Sequence, residues 1–203
     1  MKRVIIVLIL ILSVQNFNAQ TKKMSNNLET ATLANGCYWC TEAIFQRLNG
    51  VENVISGFSG GFIKNPAYRE VITGRTGHAE AIQIQFNSEV ISFEEILEVF
   101  FSTHDPTTLN RQGYDVGTQY RSAIFYHSEK QKQIADKIIS VFTEAKVFND
   151  PIVTEITAFD AFYKAEDYHQ NYYNNNKTQG YCVAVINPKL EKFLKQFKSK
   201  LKQ

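Results

Sequence analysis

The sequence lacks most of the features that settle a protein's class at a glance. Its 203 residues include three cysteines, an odd number and too few to staple a chain of this length. A disulfide scaffold is therefore excluded, and at least one thiol is left for chemistry or left free. Charge of one sign is also missing. The formal net charge is +2, too little to draw nucleic acid or an acidic membrane, and much of the positive charge sits in the final run KLEKFLKQFKSKLKQ, which reads as a solvated helix face. No internal repeat and no low-complexity segment occurs, so one globular domain with a sizeable core is the simple reading.

A membrane-spanning run is missing too. The apolar stretch Val4 to Val14 falls short of the roughly 17 to 25 residues that a spanning helix needs. It follows Lys2 and Arg3 and precedes the polar QNFNAQ, the layout of a secretory signal. The expectation is a signal peptide over residues 1–20, cut near Ala19, a linker over 21–29, and a single domain over 30–203 in the periplasm or outside the cell, with no stable membrane association after cleavage. Phe17 stands where a small residue is preferred, and an uncleaved anchor is the alternative. No cysteine follows the run, so a lipid-modified N-terminus is not expected. With no apolar stripe left over, the domain is expected to be a monomer.

What is present alternates between strand and helix patterns. TATLAN, AIQIQF, RSAIFYH and PIVTEITAF read as strands, AIQIQF with Ile82, Ile84 and Phe86 on one face. Helices are read from CYWCTEAIFQRLNG, with Cys40, Ile44 and Leu48 on one face, and after the capping-box pairs Ser92/Glu95 and Ser128/Gln131. A last helix starts near Pro188. Strands too close together for crossover helices argue for a mixed or antiparallel sheet with helices packed on it, an α+β fold. Three stretches, 56–80, 102–120 and 168–182, are long, rich in Gly, Asn, Tyr and His, and poorly periodic. Long irregular segments in a compact domain are usually functional.

The chemistry centres on GCYWC, residues 36–40. Cys37 sits at a strand-to-helix junction, where free N–H groups and the helix dipole favour an anion and lower a thiol pKa. Cys40 follows one turn later. The spacing alone leaves open a structural zinc clip, which needs a fourth ligand from His78, His104, His127 or His169 beside Cys37, Cys40 and Cys182. It also leaves open a thioredoxin-like dithiol and a pair of small buried side chains. Tyr38 and Trp39 offer aromatic surface suited to a methyl or thioether group. Glu80, in GHAE, becomes a proton donor if an apolar pocket raises its pKa. Tyr68, Tyr120 and Asp115 can offer hydrogen bonds.

Several longer motifs occur together: GCYWCTEAIFQRLNGV, GFSGG, NPAYREVITGRTGHAEAI, HDPTTLNRQGYDVGTQYRSAIF, AEDYHQNYY and a late GYC. In this order, from about Thr32 to Leu190, they resemble the A-type peptide methionine sulfoxide reductases. The resemblance implies a two-layer, ferredoxin-like α+β sandwich with a long irregular C-terminal segment. It also implies reduction of methionine S-sulfoxide in oxidised proteins and peptides. It places the nucleophile on Cys37, the methyl pocket on Tyr38 and Trp39, the general acid on Glu80, and supporting hydrogen bonds on Tyr68, Tyr120 and Asp115. Tyr38 departs from the commoner phenylalanine, and its hydroxyl is expected to face solvent or a loop. The resulting sulfenic acid condenses with a second thiol. Cys182, on a segment expected to be mobile, is preferred for that step, with Cys40 passing the disulfide on or serving directly. No metal and no bound cofactor is expected, only an external dithiol reductant such as thioredoxin.

Overall fold

The structure is a computed structural model and describes residues 27–203; the expected leader at 1–20 and most of the expected linker lie outside the described residues. Alternation builds the sheet. In β1 (Leu28–Asn35), Ala31 and Leu33 face one side and Thr32 and Ala34 the other, all of them buried. In β3 (Ala79–Asn87), Ile82, Ile84 and Phe86 join the Ala31 and Leu33 side, while Ala79 and Ala81 join Ala34. The two strands pair antiparallel, so these faces coincide.

The chain then runs α1 (Tyr38–Phe45), β2 (Val51–Ser59), β3, α3 (Phe93–Ser102) and β6 (Ser122–Tyr126), with a single-turn α2 (Tyr68–Val71) between β2 and β3. The four long strands lie in the order β6-β1-β3-β2, every pair antiparallel, which is the split βαβ arrangement of ferredoxin-like folds. Two short strands widen it. β7 (Glu155–Ala158) lies parallel to β6, and β8 (Phe162–Lys164) pairs antiparallel with β2, giving a six-stranded mixed sheet. Helices cover one face. Ile44 and Phe45 of α1, Ile96 and Phe100 of α3, Ala135 of α4 (Glu129–Glu144) and Phe193 of α6 (Asn187–Gln196) share one core with the sheet's larger apolar side chains. The other face carries mostly alanine and is closed by Phe125, Phe159 and Phe162.

The helix starts follow the expected chemistry. Ser92 accepts the Glu95 N–H at 3.2 Å and the Glu95 carboxylate takes the Ser92 N–H at 2.9 Å. At α4 the Ser128 hydroxyl accepts from Gln131, but the Gln131 side chain reaches back to the His127 N–H, one residue earlier than a capping box requires. Among the described residues no helix is long and apolar enough to cross a membrane.

The stretches read as irregular hold more order than their composition suggests. The 56–80 stretch begins inside β2, where Ser56, Gly57 and Ser59 replace the usual β-formers. The reason is crowding: a Cβ on Gly57 would stand 2.4 Å from the Tyr163 carbonyl oxygen of β8. The 102–120 stretch forms a small hairpin of β4 (Arg111–Gln112) and β5 (Asp115–Val116) and a 3-10 turn at Thr118–Tyr120. The C-terminal segment from Ala165 stays mostly irregular, with a 3-10 turn at Asp167–His169, a single-turn α5 (Tyr172–Asn175) and a π-helical turn at Cys182–Ile186 that runs into α6. It is nonetheless tied down. The Gln170 amide accepts the Ser56 N–H at 3.0 Å and donates to the Ser56 and Ala165 carbonyls at 2.9 and 3.0 Å.

Gly57→Ala is expected to force β8 from β2 and cost about 1 to 3 kcal/mol. Because β8 leads directly into the Ala165–Tyr172 segment, proteolysis should cut after Lys164 in this variant before the rest of the chain yields. Limited digestion of folded protein checks both effects.

Candidate active site

The end of β1 and the start of α1 place the thiol. Gly36 takes φ +95°, a left-handed conformation that side chains resist, and a Cβ there would lie 2.7 Å from Gln112 of the β4 strand. The chain thus turns sharply and close under the small hairpin, and Cys37 becomes the N-cap of α1 with φ −58° and ψ 121°. Its carbonyl accepts from the Cys40 and Thr41 N–H groups. Thr41 Oγ1 in turn bonds Asn35 Oδ1 across the turn.

The first free N–H of the helix does not face the sulfur. The Tyr38 N–H donates to Glu80 Oε2 at 3.1 Å, tying α1 to the middle strand β3. Glu80 is 2% exposed. Burial pushes its pKa up to about 8, against the lowering effect of that hydrogen bond, and the nearby Asp115 adds to the rise. At neutral pH this carboxyl holds its proton. The junction was expected to depress the Cys37 pKa, and the structure shows the opposite. Cys37 stands well above the ordinary thiol value because of its burial, then its contact with the Cys40 thiol, then the Glu80 charge. The helix end serves the acid instead of the thiol.

Two tyrosines feel the Glu80 charge. Tyr68 opens α2, its N–H donating to Glu166 Oε1 at 2.9 Å, and burial followed by the Glu80 charge lifts its pKa to about 12. Tyr120, at the end of the 3-10 turn, is raised for the same two leading reasons. Both therefore stay protonated and able to donate. Asp115 is less direct. Its Oδ2 accepts the Tyr181 hydroxyl at 2.8 Å, and the Tyr181 hydroxyl oxygen lies 4.0 Å from the Cys40 sulfur. A cavity of about 270 Å³ opens here, with Cys37, Cys40, Asp115, Tyr181 and Lys189 in its lining. Cys182 is fully buried at the start of the π-helical turn, and the one charged group acting on it is Cys40. All three thiols are free.

The aromatic pair behaves differently from expectation in one respect. Tyr38 does not send its hydroxyl to solvent or a loop; the residue is 1% exposed, and its oxygen is buried without a protein hydrogen-bond partner. Trp39 is half-buried and stacks flat on Tyr172, centroids 3.7 Å apart at 7°. Its indole N–H donates to His169 Nδ1 at 3.2 Å. Sequence reasoning named His169 only as a possible zinc ligand and did not find Tyr172, Tyr181, Glu166 or Glu42. Glu42 lies on the buried side of α1, takes the Asn171 N–H at 2.9 Å and has its pKa lifted by burial to about 7. A carboxylate inside an apolar helical stretch was a usable signal for it. The tyrosines carried none, being some of ten.

Three of the four histidines are engaged away from the cysteines, and the fourth, His169, is the acceptor for Trp39. His78 bonds Gly61 and Ile63, His104 bonds Phe100 and Ser122, and His127 bonds Thr32. Among the described residues no three potential metal ligands converge. A buried thiol beside a carboxylic acid that keeps its proton, with two donor tyrosines and a second thiol in contact, defines a thiol-dependent redox enzyme on a ferredoxin-like scaffold.

Comparison with known proteins narrows the class. Residues 29–202 match the family model described as peptide methionine sulfoxide reductase. A peptide methionine sulfoxide reductase MsrA of Polynucleobacter asymbioticus is 50% identical over 182 residues, 90% of this chain and 96% of that protein. One from Sulfolobus acidocaldarius is 54% identical over 173 residues, 85% and 97% of the two chains. Among solved structures, reduced Mxr1 from Saccharomyces cerevisiae superposes with a TM-score of 0.69 at 35% identity, covering 76% of this chain and 89% of that one. The chain belongs to the peptide methionine sulfoxide reductase family.

The Glu80 carboxyl, near 8 when folded against an ordinary 4.5, keeps its proton in the folded chain across a pH range where the unfolded chain has lost it. Stability therefore falls as pH rises through that range, and the loss is complete above about 8. Glu80→Gln retains the shape without the charge. Its thermal midpoint should rise relative to the parent as pH climbs from about 5 to about 9, which differential scanning calorimetry will detect. Parallel curves would mean that the carboxyl is not held protonated.

Proposed function

We propose that this enzyme reduces the S-epimer of methionine sulfoxide in oxidised proteins and peptides, with Cys37 as nucleophile and Glu80 as general acid. The observation that carries the reading is a protonated, almost fully buried Glu80 bonded to the residue next to Cys37. A sulfoxide sulfur is a poor electrophile until its oxygen is protonated or hydrogen-bonded. Glu80 supplies that proton, and the Tyr68 and Tyr120 hydroxyls donate to the same oxygen. The methyl group rests on Tyr38 and Trp39. A Cys37 thiol at rest loses its proton only as the sulfoxide takes one up, so the two transfers are matched in the same buried space.

The balance is simple. The Cys37 sulfur attacks the sulfoxide sulfur as the oxygen is protonated, the S–O bond breaks to release water and leave an S–S-linked sulfonium, and water then attacks the Cys37 sulfur, breaking the S–S bond to leave the sulfenic acid. Methionine leaves reduced by two electrons and the thiol is oxidised by two. A second thiol then displaces water to form a disulfide. The contact of Cys40 with Cys37, and the electrostatic influence of Cys40 on the buried Cys182, support an order in which Cys40 closes the first disulfide and Cys182 exchanges with it afterwards. That order reverses the sequence-based preference for Cys182. The N-cap backbone of Cys37 also supports it, since the pair is not locked inside a helical turn. An external dithiol, thioredoxin-like, reduces the final disulfide by exchange.

With dithiothreitol as reductant, the full chain is expected to consume the S-epimer of a methionine sulfoxide peptide and leave the R-epimer. No S-epimer turnover would end this reading. Glu80→Gln should lower kcat/KM by roughly 10²- to 10⁴-fold, the usual scale for a lost general acid. For the thiols, quenched mass spectrometry after one equivalent of substrate should show Cys37 joined to Cys40 first, and this bond should persist in Cys182→Ser. An earliest species joining Cys37 to Cys182 would restore the sequence-based order.

A further inference from the structure

We infer that His169 is a positioning residue that fixes the Trp39 wall of the substrate pocket before substrate arrives, a role that rests on the methionine sulfoxide reductase reading above. His169 is 1% exposed. Its Nδ1 accepts the Trp39 indole N–H at 3.2 Å, which puts the proton of a neutral imidazole on Nε2. Its ring packs against four aromatic neighbours. Centroids lie 5.6 Å from Trp39 in a stacked arrangement, 5.3 Å from Tyr38, 4.4 Å from Tyr68 and 4.1 Å from Tyr168. One imidazole thus touches both residues assigned to the methyl group and one of the tyrosines beside Glu80.

A second observation separates this histidine from an ordinary core residue. Its Nε2 is buried without a protein partner, and so are Tyr38 Oη and Glu166 Oε2. Glu166 acts electrostatically on both His169 and Tyr38 while its other oxygen holds the Tyr68 N–H. Buried polar atoms are rarely left unpaired. Two of the three belong to rings whose centroids lie 5.3 Å apart, and a polar partner on the Nε2–H side would hold the tautomer that leaves Nδ1 free to accept. The Trp39 ring is then held on one side by this bond and on its face by Tyr172, itself anchored through the Asn171 N–H to Glu42.

Trp39 is the single tryptophan of the chain, so intrinsic fluorescence reports its surroundings without interference. His169→Phe keeps a planar ring and removes the acceptor. His169→Asn keeps an acceptor at the Nδ1 position. The hydrogen bond holds Trp39 equally in bound substrate and transition state, so its loss is expected to raise KM for a methionine sulfoxide peptide about tenfold in His169→Phe, with kcat within about threefold of the parent. The emission maximum should shift in the same variant, and His169→Asn should recover both KM and emission. Circular dichroism and thermal midpoint identify variants that fail to fold; if His169→Phe does so, His169→Leu and the Asn variant carry the comparison. Unchanged KM and emission in a folded variant lacking the acceptor would overturn the role, as would an Asn variant as impaired as Phe. Activity of the parent chain in the same assay tests the underlying reductase reading separately.

Discussion

The hydrogen bond from the Tyr38 N–H to Glu80 holds the site together because it joins two elements that approach for different reasons. α1 comes to the sheet because Ile44 and Phe45 must be buried, and β3 runs through the centre because Ile82 and Ile84 must be. Between them, at the polar end of both, a carboxyl group is left with almost no water. An acid that is 2% exposed ionises only at considerable cost, so it keeps its proton and accepts one backbone N–H through its other oxygen. The apolar core makes the proton donor; no cation or dedicated partner is needed to set its state.

The same burial acts on the thiol. Helix N-termini commonly produce thiolates, yet here the first N–H is taken by Glu80 and the sulfur is dry, with a second thiol and an acid for neighbours. A protonated Cys37 is a poor target for small oxidants and a poor nucleophile toward adventitious disulfides. The reduction proposed above draws its reactivity from the arrival of a group that can accept a proton from the site, as a sulfoxide oxygen can, so it rests on the shared burial of acid and thiol.

The central fold was legible in the sequence wherever one face of an element is apolar and the other polar. β3 alternates through Ile82, Ile84 and Phe86, and the Ser92/Glu95 box announces α3 because its two reciprocal bonds are local. β2 was harder to see. Ser56 and Gly57 look like loop residues, but they are small because β8 and Gln170 press against the strand from elsewhere in the chain. Of the site, the residues near Cys37 and the acid in GHAE could be read, since their chemistry depends on residue type and a strand-to-helix junction. The pKa of Cys37 could not, because it depends on which partner captures the Tyr38 N–H. Nor could the roles of His169, Tyr172 and Tyr181, which arise when the C-terminal segment folds back across the site.

That return explains why the segment can be irregular and still ordered. A regular helix or strand would satisfy its own backbone and leave few groups to bond elsewhere. From Ala165 to Tyr172 the chain instead spends its polar groups on the sheet and on α1: Ala165 and Gln170 on Ser56, Glu166 on Tyr68, His169 on Trp39, and Asn171 on Glu42. Each bond ties the returning segment to an element already fixed by the core. Beyond Asn175 the chain re-enters the core through Cys182 and α6, so the third thiol is attached to the same returning segment.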